Sequence, residues 1–97
     1  MRYEKTDYTF VQFEPSQRLH KKYNAIIQNR QTGRTVKIPF GDTRYEQYKD
    51  TTGLGLWSHK NHGDKARRKA YVDRHRKDMI YGLDYYTPGY FSMRFLW

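Results

Sequence analysis

The stretch KYNAIIQNRQTGRTVKIPF, residues 22–40, decides the fold that this sequence predicts. Apolar side chains stand at every second position in both of its halves, at Tyr23, Ala25, Ile27, Val36, Ile38 and Phe40. An alternation of period two is typical of half-buried β-strands, and the Gly-containing link at residues 29–33 is typical of a hairpin. We therefore predict two antiparallel strands, Lys22–Asn29 and Arg34–Phe40.

A third strand precedes this hairpin. Residues 8–13 alternate between apolar and polar side chains, and Pro15 then ends the pattern. Proline cannot donate to a strand ladder, so it is compatible with the end of a strand. The sequence therefore predicts a three-stranded antiparallel meander.

Two irregular segments follow the meander. Thr43 and Glu46 have the spacing of a capping box, which predicts a short helix over Thr43–Lys49. Residues 51–62 include two glycines and predict a loop. We expect that loop to be tethered by its large apolar residues, which are Leu54, Leu56 and Trp57.

The next segment, DKARRKAYVDRHRKD at residues 64–78, is the most basic part of the chain. Asp64 is a favourable N-cap, and the Ala, Arg and Lys residues favour a helix over Asp64–Lys77. Near the end of the chain, Thr87 followed by Pro88 predicts the start of a short final helix. That helix would place Phe91 and Phe95 on one face and would pack residues 95–97 against the core.

The composition indicates one folded α+β domain over residues 1–97, with residues 1–6 as a flexible extension. Leu, Ile, Val and Phe together number 17 among 97 residues, a low fraction for a folded protein. Ten Tyr and two Trp compensate, because each ring can bury roughly 150–250 Å². We predict a small antiparallel β-meander, a central basic helix and an aromatic C-terminal helical segment.

The charge balance indicates the class of partner. The 19 Lys and Arg residues outnumber the 10 Asp and Glu residues, which gives a formal net charge of +9. Such a field attracts nucleic acid, acidic protein surfaces or anionic lipid. The residues that we predict to contact an anionic partner are Lys65, Arg67, Arg68, Lys69, Arg74, Arg76 and Lys77 on the helix, with Lys21, Lys22, Arg30 and Arg34 on the hairpin.

Several classes of function lack their sequence signals. The absence of cysteine excludes disulfides, thiolate zinc sites and cysteine nucleophiles. No apolar run approaches the ~20 residues that span a bilayer, so we expect a protein that is neither secreted nor transmembrane and has no membrane partner. We find no nucleophile elbow and no phosphate-binding glycine loop, and we predict no catalytic residues, cofactor or enzyme activity.

Histidines and tyrosines offer two further readings. His59, His62 and His75 could together attract zinc, but we favour His62 and His75 as braces of the joint between loop and helix, through hydrogen bonds to backbone or Asp64. The exposed-ring candidates for stacking on unpaired bases are Tyr3, Tyr8, Tyr85 and Tyr86.

Two packing arrangements of the basic helix are compatible with its sequence. In the first, the small face with Ala66 and Ala70 lies against the sheet, and the arginines meet phosphates. In the second, Arg67, Tyr71 and Arg74 turn inward to acids such as Asp42 or Asp50 and stabilise the fold by charge-assisted hydrogen bonds.

The chain also resembles a family of small uncharacterised proteins that giant DNA viruses and some large phages encode. The resemblance rests on FGD at 40–42, YxxYxD at 45–50, HxDxxRRxxYxxRH at 62–75, YFS at 90–92 and LW at 96–97, with KKY at 21–23. It implies a viral origin and a location in the host cytoplasm during infection or within the virion. It carries no catalytic or binding residue over to this chain.

Three functions therefore stay open at the level of sequence. The favoured one is a non-enzymatic viral accessory protein that binds nucleic-acid backbone electrostatically, without reading sequence. The alternative is a virion structural component, such as a minor capsid or head-decorating protein assembled into the particle. The third is a host-directed adaptor or inhibitor that uses the same residues on an acidic protein surface.

Overall fold

The structure, a computed structural model, describes residues 3–82 and 84–97, and it confirms the predicted α+β class. Two sheets are present, one of two strands and one of three. In chain order the elements are β1 (Tyr3–Glu4), β2 (Tyr8–Pro15), β3 (Lys21–Asn29), β4 (Thr35–Asp42), a 3₁₀ turn (Ser58–Lys60), α1 (Lys65–Arg74), α2 (Arg76–Gly82), β5 (Tyr85–Tyr86) and α3 (Pro88–Phe95).

The predicted meander is present, because β2, β3 and β4 pair in that order and both pairings are antiparallel. Tyr23 lies opposite Phe40, and Ile27 lies opposite Val36. These alternating side chains share one face of the sheet, and Tyr23, Ile27 and Phe40 have no exposed surface. The hairpin turn is held by Asn29, whose Oδ1 accepts hydrogen bonds from the backbone N–H groups two and three residues later. The sheet therefore presents one largely buried face.

A β-bulge in β2 brings two phenylalanines to the same side of the sheet. Phe10 and Phe13 are an odd number of positions apart, so a regular strand would point them to opposite faces. The pairing with β3 shifts register between Phe10 and Gln12, and the centroids of the two rings lie 4.8 Å apart. Both rings then reach α3, where the centroid of Phe95 is 6.4 Å from that of Phe10 and 4.7 Å from that of Phe13.

Helix α3 covers the buried face of the sheet and begins as the sequence predicts. The hydroxyl of Thr87 accepts a hydrogen bond from the N–H three residues later, at 3.0 Å, and Pro88 occupies the first turn. Phe91 and Leu96 are each 1% exposed, and the ring of Phe91 lies 5.6 Å from that of Phe40. The core is therefore largely aromatic, as expected for a chain with few aliphatic residues.

The two-stranded ribbon corrects the prediction of a flexible extension over residues 1–6. Tyr3 pairs with Tyr86 and Glu4 pairs with Tyr85, so this part of the chain belongs to the fold. The ring of Tyr86 stacks on Phe91 with centroids 5.6 Å apart. Residues 1 and 2 lie outside the described part of the chain.

The predicted helix over Thr43–Lys49 is wrong. Residues 43–57 form turns, bends and one isolated bridge. The backbone oxygen of Tyr45 accepts a hydrogen bond from the ammonium group of Lys22, at 2.9 Å, and Gln47 is fully buried in a bridge with Asn61. Contacts with residues distant in the sequence thus replace the local hydrogen bonds of a helix.

The loop is tethered differently from the prediction. Leu54 and Leu56 are 42% and 51% exposed, so neither anchors the loop. Trp57 packs against the core, which confirms that part of the prediction.

The basic segment is helical, but in two pieces. Helix α1 ends at Arg74, and α2 runs from Arg76 to Gly82, beyond the predicted end at Lys77. The break falls at His75, whose φ of −110° and ψ of 25° leave the helical region. Helix α2 then packs against α3. Within residues 3–82 and 84–97, no helix combines the length and the apolar character needed to span a lipid bilayer.

Gly41 gives the first testable prediction. Its φ is 75°, and a Cβ at this position would lie 3.0 Å from Cδ1 of Leu96 and 3.2 Å from two carbons of Lys22. Gly41→Ala should lower the free energy of unfolding by about 2–5 kcal/mol, because a left-handed backbone costs about 1–2 kcal/mol and overpacking about 1–3 kcal/mol.

Gly53→Ala is the matched control for this substitution. Gly53 has a φ of 87°, and a Cβ there would meet nothing within 4 Å, so only the backbone cost of about 1–2 kcal/mol remains. Urea unfolding of the parent and both variants measures the difference. Equal losses in the two variants would contradict tight packing around Gly41.

Candidate nucleic-acid interface

Helix α1 begins at a cap that the sequence predicts. The side chain of Asp64 accepts hydrogen bonds from the backbone N–H groups of Ala66, at 2.9 Å, and Arg67, at 3.2 Å. His62 braces this joint, because its Nδ1 accepts a hydrogen bond from the N–H of Asp64 at 2.9 Å. Burial, followed by the charge of Arg67, lowers the pKa of His62 and so favours the neutral ring that can accept this bond. The predicted role of His62 is confirmed.

Tyr71 attaches α1 to the rest of the fold. Its ring stacks on that of Trp97 with centroids 4.1 Å apart and planes 2° apart, and on that of His75 at 4.2 Å. Trp97 in turn lies 5.2 Å from the ring of His62. Arg68 adds a hydrogen bond from Nε to the backbone oxygen of Trp97, at 3.0 Å. The helix is therefore held by stacked rings and one guanidinium group.

This attachment differs from both predicted packing arrangements. Ala66 and Ala70 are exposed, so the small face of α1 does not lie against the sheet. Arg67 forms an ion pair with Glu46, at 3.1 Å between Nη1 and Oε1, in place of the predicted acids. His75 stacks on Tyr71, as described above, and α1 has no fully buried residue.

The two acids predicted to receive the arginines bind other groups. Both carboxylate oxygens of Asp42 accept hydrogen bonds from the guanidinium of Arg44, which holds the pKa of Asp42 well below its usual value. Asp50 accepts hydrogen bonds from the hydroxyls of Tyr23 and Thr52. Burial raises the pKa of Asp50, but these hydrogen bonds outweigh it and the net shift is downward.

The outward surface of α1 and the first turn of α2 is cationic. The seven basic residues predicted here are all exposed; they are Lys65, Arg67, Arg68, Lys69, Arg74, Arg76 and Lys77. We call them the helix cations. Asp73 accepts hydrogen bonds from Lys69, at 2.7 Å, and from Arg76, at 3.2 Å. Exposed pairs of this kind contribute ~0–1 kcal/mol, so these cations stay available to a partner.

Lys22 does not belong to this surface, which corrects its prediction as a contact residue. Its side chain is 3% exposed, and its ammonium donates to the backbone oxygen of Tyr45 and to Oε1 of Gln47. Burial and, to a smaller extent, the nearby charge of Lys60 lower the pKa of Lys22 to about 8, against the opposing effect of Asp42. Lys22 is therefore a structural cation.

The other hairpin cations lie at opposite ends of the sheet. Lys21 begins β3 and pairs with Asp42, close to α1, whereas Arg30 and Arg34 flank the turn between β3 and β4. A strand rises ~3.3 Å per residue, so the eight steps along β3 separate the two ends by ~26 Å. Arg30 and Arg34 are exposed, but the fold does not bring them to the helix cations.

A buried polar network that the sequence analysis missed positions this surface. The side-chain amide of Gln47, fully buried, donates to the backbone oxygen of Trp57 and to Oδ1 of Asn61, each at 2.7 Å. Oδ1 of Asn61 also accepts a hydrogen bond from the N–H of Asp50, at 2.8 Å. The signal in the sequence is weak, because polar residues in a loop give no periodicity that would mark them as buried.

The tyrosines predicted as stacking platforms mostly serve the core. Tyr3, Tyr8 and Tyr86 pack against the buried cluster, and the rings of Tyr3 and Tyr8 meet edge to face at 5.3 Å. Tyr85 pairs with Glu4 in the ribbon. For the part of the chain that is described, no group of three His, Asp or Glu side chains could hold one metal ion.

Comparison with protein-family models gave no match, and neither the curated proteins nor the solved structures contained a similar chain.

The lowered pKa of Lys22 leads to a prediction: the free energy of unfolding should depend on pH in the alkaline range. Its pKa is about 8 in the folded protein against 10.5 in an exposed lysine, so between these values the unfolded chain binds more protons. The free energy of unfolding should then rise with pH, by about 2 kcal/mol from pH 8 to pH 10. Above pH 10, the raised pKa values of Tyr23 and Tyr90 act in the opposite direction.

Urea unfolding between pH 7 and pH 10 measures this effect. Lys22→Met should remove most of the rise, whereas Lys21→Met should keep it, because Lys21 is only half-buried. A rise that persists in Lys22→Met would contradict the assignment to this ammonium group.

The stacking of Tyr71 leads to a prediction about how often α1 opens. Tyr71→Leu removes the stacking on Trp97, and aromatic pairs contribute about 0.5–1.5 kcal/mol. We expect hydrogen exchange of the amides at 68–74 to accelerate by about 3- to 10-fold, since the helix would open more often. Tyr45→Leu is the control, because Tyr45 is 64% exposed. Unchanged exchange in Tyr71→Leu would show that the helix is held by other contacts.

Proposed function

We propose that this protein binds nucleic-acid backbone through the helix cations, electrostatically and without reading sequence. The observation that carries the proposal is the exposure of all seven of these side chains on one helical segment. Ion pairs to described acids involve Arg67, Lys69 and Arg76, and each of these pairs lies at the surface. A phosphate backbone would supply further negative charges to this segment, where described acids pair with only three of the seven cations.

The way in which α1 is attached supports this function. The ring of Tyr71 and the guanidinium of Arg68 hold the helix, so the remaining cations are not needed to stabilise its position. Binding then costs little rearrangement of the scaffold. Long Lys and Arg side chains on a helix follow a line of phosphates, and such contacts position a protein on nucleic acid without specifying a base sequence.

The proposed role is non-enzymatic. In a virus, as the family resemblance suggests, such a protein would accompany the genome in the host cytoplasm or in the particle. Binding would be strongest at low salt and would weaken as counterions compete for the phosphates.

A virion structural component is the second candidate, and one observation favours it. Met79 and Ile80, which are consecutive on α2, are 51% and 65% exposed. Apolar side chains in contact with water are common singly, but neighbouring ones mark surfaces that bind proteins. Capture experiments with and without nuclease separate the candidates, because a protein contact of the particle or of the host survives nuclease treatment.

The salt dependence of binding tests the favoured function. Lys65→Gln with Lys69→Gln removes two helix cations and keeps residues that tolerate a helix. Each lost phosphate contact lowers the slope of log affinity against log salt by about 0.9 on duplex DNA, so the slope should fall by about 1.8. At 0.1 M salt this corresponds to a loss of about 10- to 60-fold in affinity. Fluorescence anisotropy with a ten-base-pair duplex, between 25 and 200 mM salt, measures both quantities.

Arg30→Gln with Arg34→Gln is the matched control, because it removes the same charge at the far end of the sheet. We expect its slope to change by less than half as much. A parent protein whose binding does not weaken with salt would refute the proposal. Equal effects of the two double variants would show that net charge matters and the helix surface does not.

A further inference from the structure

A cleft of about 660 Å³ opens between α1, the paired ends of β3 and β4, and the first turn of α3. Its apolar lining includes the half-buried rings of Tyr71 and Trp97. Ala70 of α1 and Ser92 of α3 also line it. A cleft of this size, with an apolar lining and a few polar groups, is typical of sites that bind small organic molecules.

The charged groups of the cleft are predominantly cationic. Four cations line it, from Lys21, Lys22, Arg67 and Arg74, together with two acids, Asp42 and Glu46. Both acids are already paired, since Glu46 binds Arg67 and Asp42 binds Arg44. Lys21 on the sheet side and Arg74 on the helix side form no ion pair with a described side chain. The cleft therefore carries two cations that no described acid side chain neutralises.

The buried side chain of Lys22 distinguishes this cleft from an open charged surface. The side chain is 3% exposed and lines the cleft. An ammonium group has three donors, and two of them bind the oxygens of Tyr45 and Gln47. The third donor has no acceptor among the described side chains and backbone groups, so a ligand oxygen could accept its hydrogen bond. Buried donors of this kind favour an occupant that supplies an acceptor.

We propose that the cleft binds a phosphomonoester attached to a small organic group, with the phosphate between Lys21 and Arg74 and the organic group against the rings of Tyr71 and Trp97. A phosphomonoester carries about −1.5 to −2 charges at neutral pH, which matches the two unneutralised cations. A guanidinium group also binds phosphate oxygens in a bidentate way. A mononucleotide has this chemistry, either as a free molecule or as the phosphorylated end of a strand.

This site overlaps the surface in the proposed function at Arg67 and Arg74, but the two sites use otherwise different residues. Lys65, Lys69 and Arg76 lie outside the cleft. Substitutions at these positions can therefore weaken binding to nucleic-acid backbone without weakening binding of a phosphomonoester. The double variant Lys65→Gln with Lys69→Gln should lose affinity for duplex DNA and keep affinity for a mononucleotide.

Calorimetric titration with adenosine monophosphate, adenosine and inorganic phosphate tests the proposal. We expect the monophosphate to bind at least tenfold more tightly than either of the other two. Adenosine lacks the phosphate that the cations would bind, and inorganic phosphate lacks the organic group. Absence of monophosphate binding at millimolar concentrations, or equal binding of adenosine, would overturn the proposal.

Ala70→Glu is the diagnostic variant, because it places a carboxylate in the cleft on an exposed position of α1. Ala66→Glu is its matched control, an exposed alanine of the same helix outside the cleft. The first should weaken monophosphate binding at least tenfold and the second by less than twofold, with unfolding midpoints measured for both. Equal effects of the two variants would refute the site, since they would reflect helix charge in general.

Two oligonucleotides distinguish the source of the phosphate. A tetranucleotide with a 5′-phosphate should compete with the monophosphate better than the same strand with a 5′-hydroxyl if the cleft receives strand ends. If neither strand competes while the monophosphate binds, the ligand is a free small molecule. Competition by both strands equally, and equally in Ala70→Glu, would contradict a phosphomonoester site.

Discussion

The buried ammonium group of Lys22 is the interaction on which the rest of this structure depends. It binds the backbone of Tyr45 and the amide of Gln47, and Gln47 in turn binds Asn61. Burial of a charged group is costly unless hydrogen bonds compensate it, so these contacts leave the loop little freedom to rearrange. The loop then presents His62 to Trp97, and Trp97 presents a ring to Tyr71. The position of the basic helix is thus set by a polar network some distance away from it.

This order of contacts explains how a chain with a formal charge of +9 keeps a dense row of cations on one helix. If α1 were held by ion pairs, each cation that stabilised the fold would be lost to a partner. Attachment through Tyr71 uses the surplus of aromatic side chains instead, and Arg68 adds a hydrogen bond to Trp97. Stability and binding therefore use largely different residues. The arrangement also explains why so few aliphatic residues suffice, since rings form both the core and the attachment of the helix.

The regular parts of the fold could be predicted from the sequence, because their signals are local. The alternation in residues 22–40, the cap at Asp64 and the Thr87-Pro88 start of α3 each depend on neighbours within a few positions. The loop could not be predicted, because the partners of Gln47 lie ten or more positions away in the sequence. A capping-box spacing at residues 43–46 gave a local helix signal, and long-range hydrogen bonds of buried groups outweighed it. The same limit applies to the candidate site: the sequence identified the helix cations but left open whether Arg67 and Arg74 turn inward, and the burial of Lys22 could be recognised only from the position of the loop.

Basic residues occupy three kinds of position in the fold, and a count of charges in the sequence cannot distinguish them. Lys65, Lys69 and Arg76 face water on the outer side, Lys21 and Arg74 face a cleft, and Lys22 is enclosed. A nucleic-acid backbone has evenly spaced charges and can bind an open row of cations. A small phosphomonoester instead requires cations that converge on one point beside an apolar surface. One basic segment beside one sheet end can present both, because α1 stands away from the sheet on its ring contacts and leaves a gap beneath it. The gap exists because α1 has no apolar face that could pack against the sheet. Lys and Arg occupy half of its positions instead, and they make its outer surface strongly cationic.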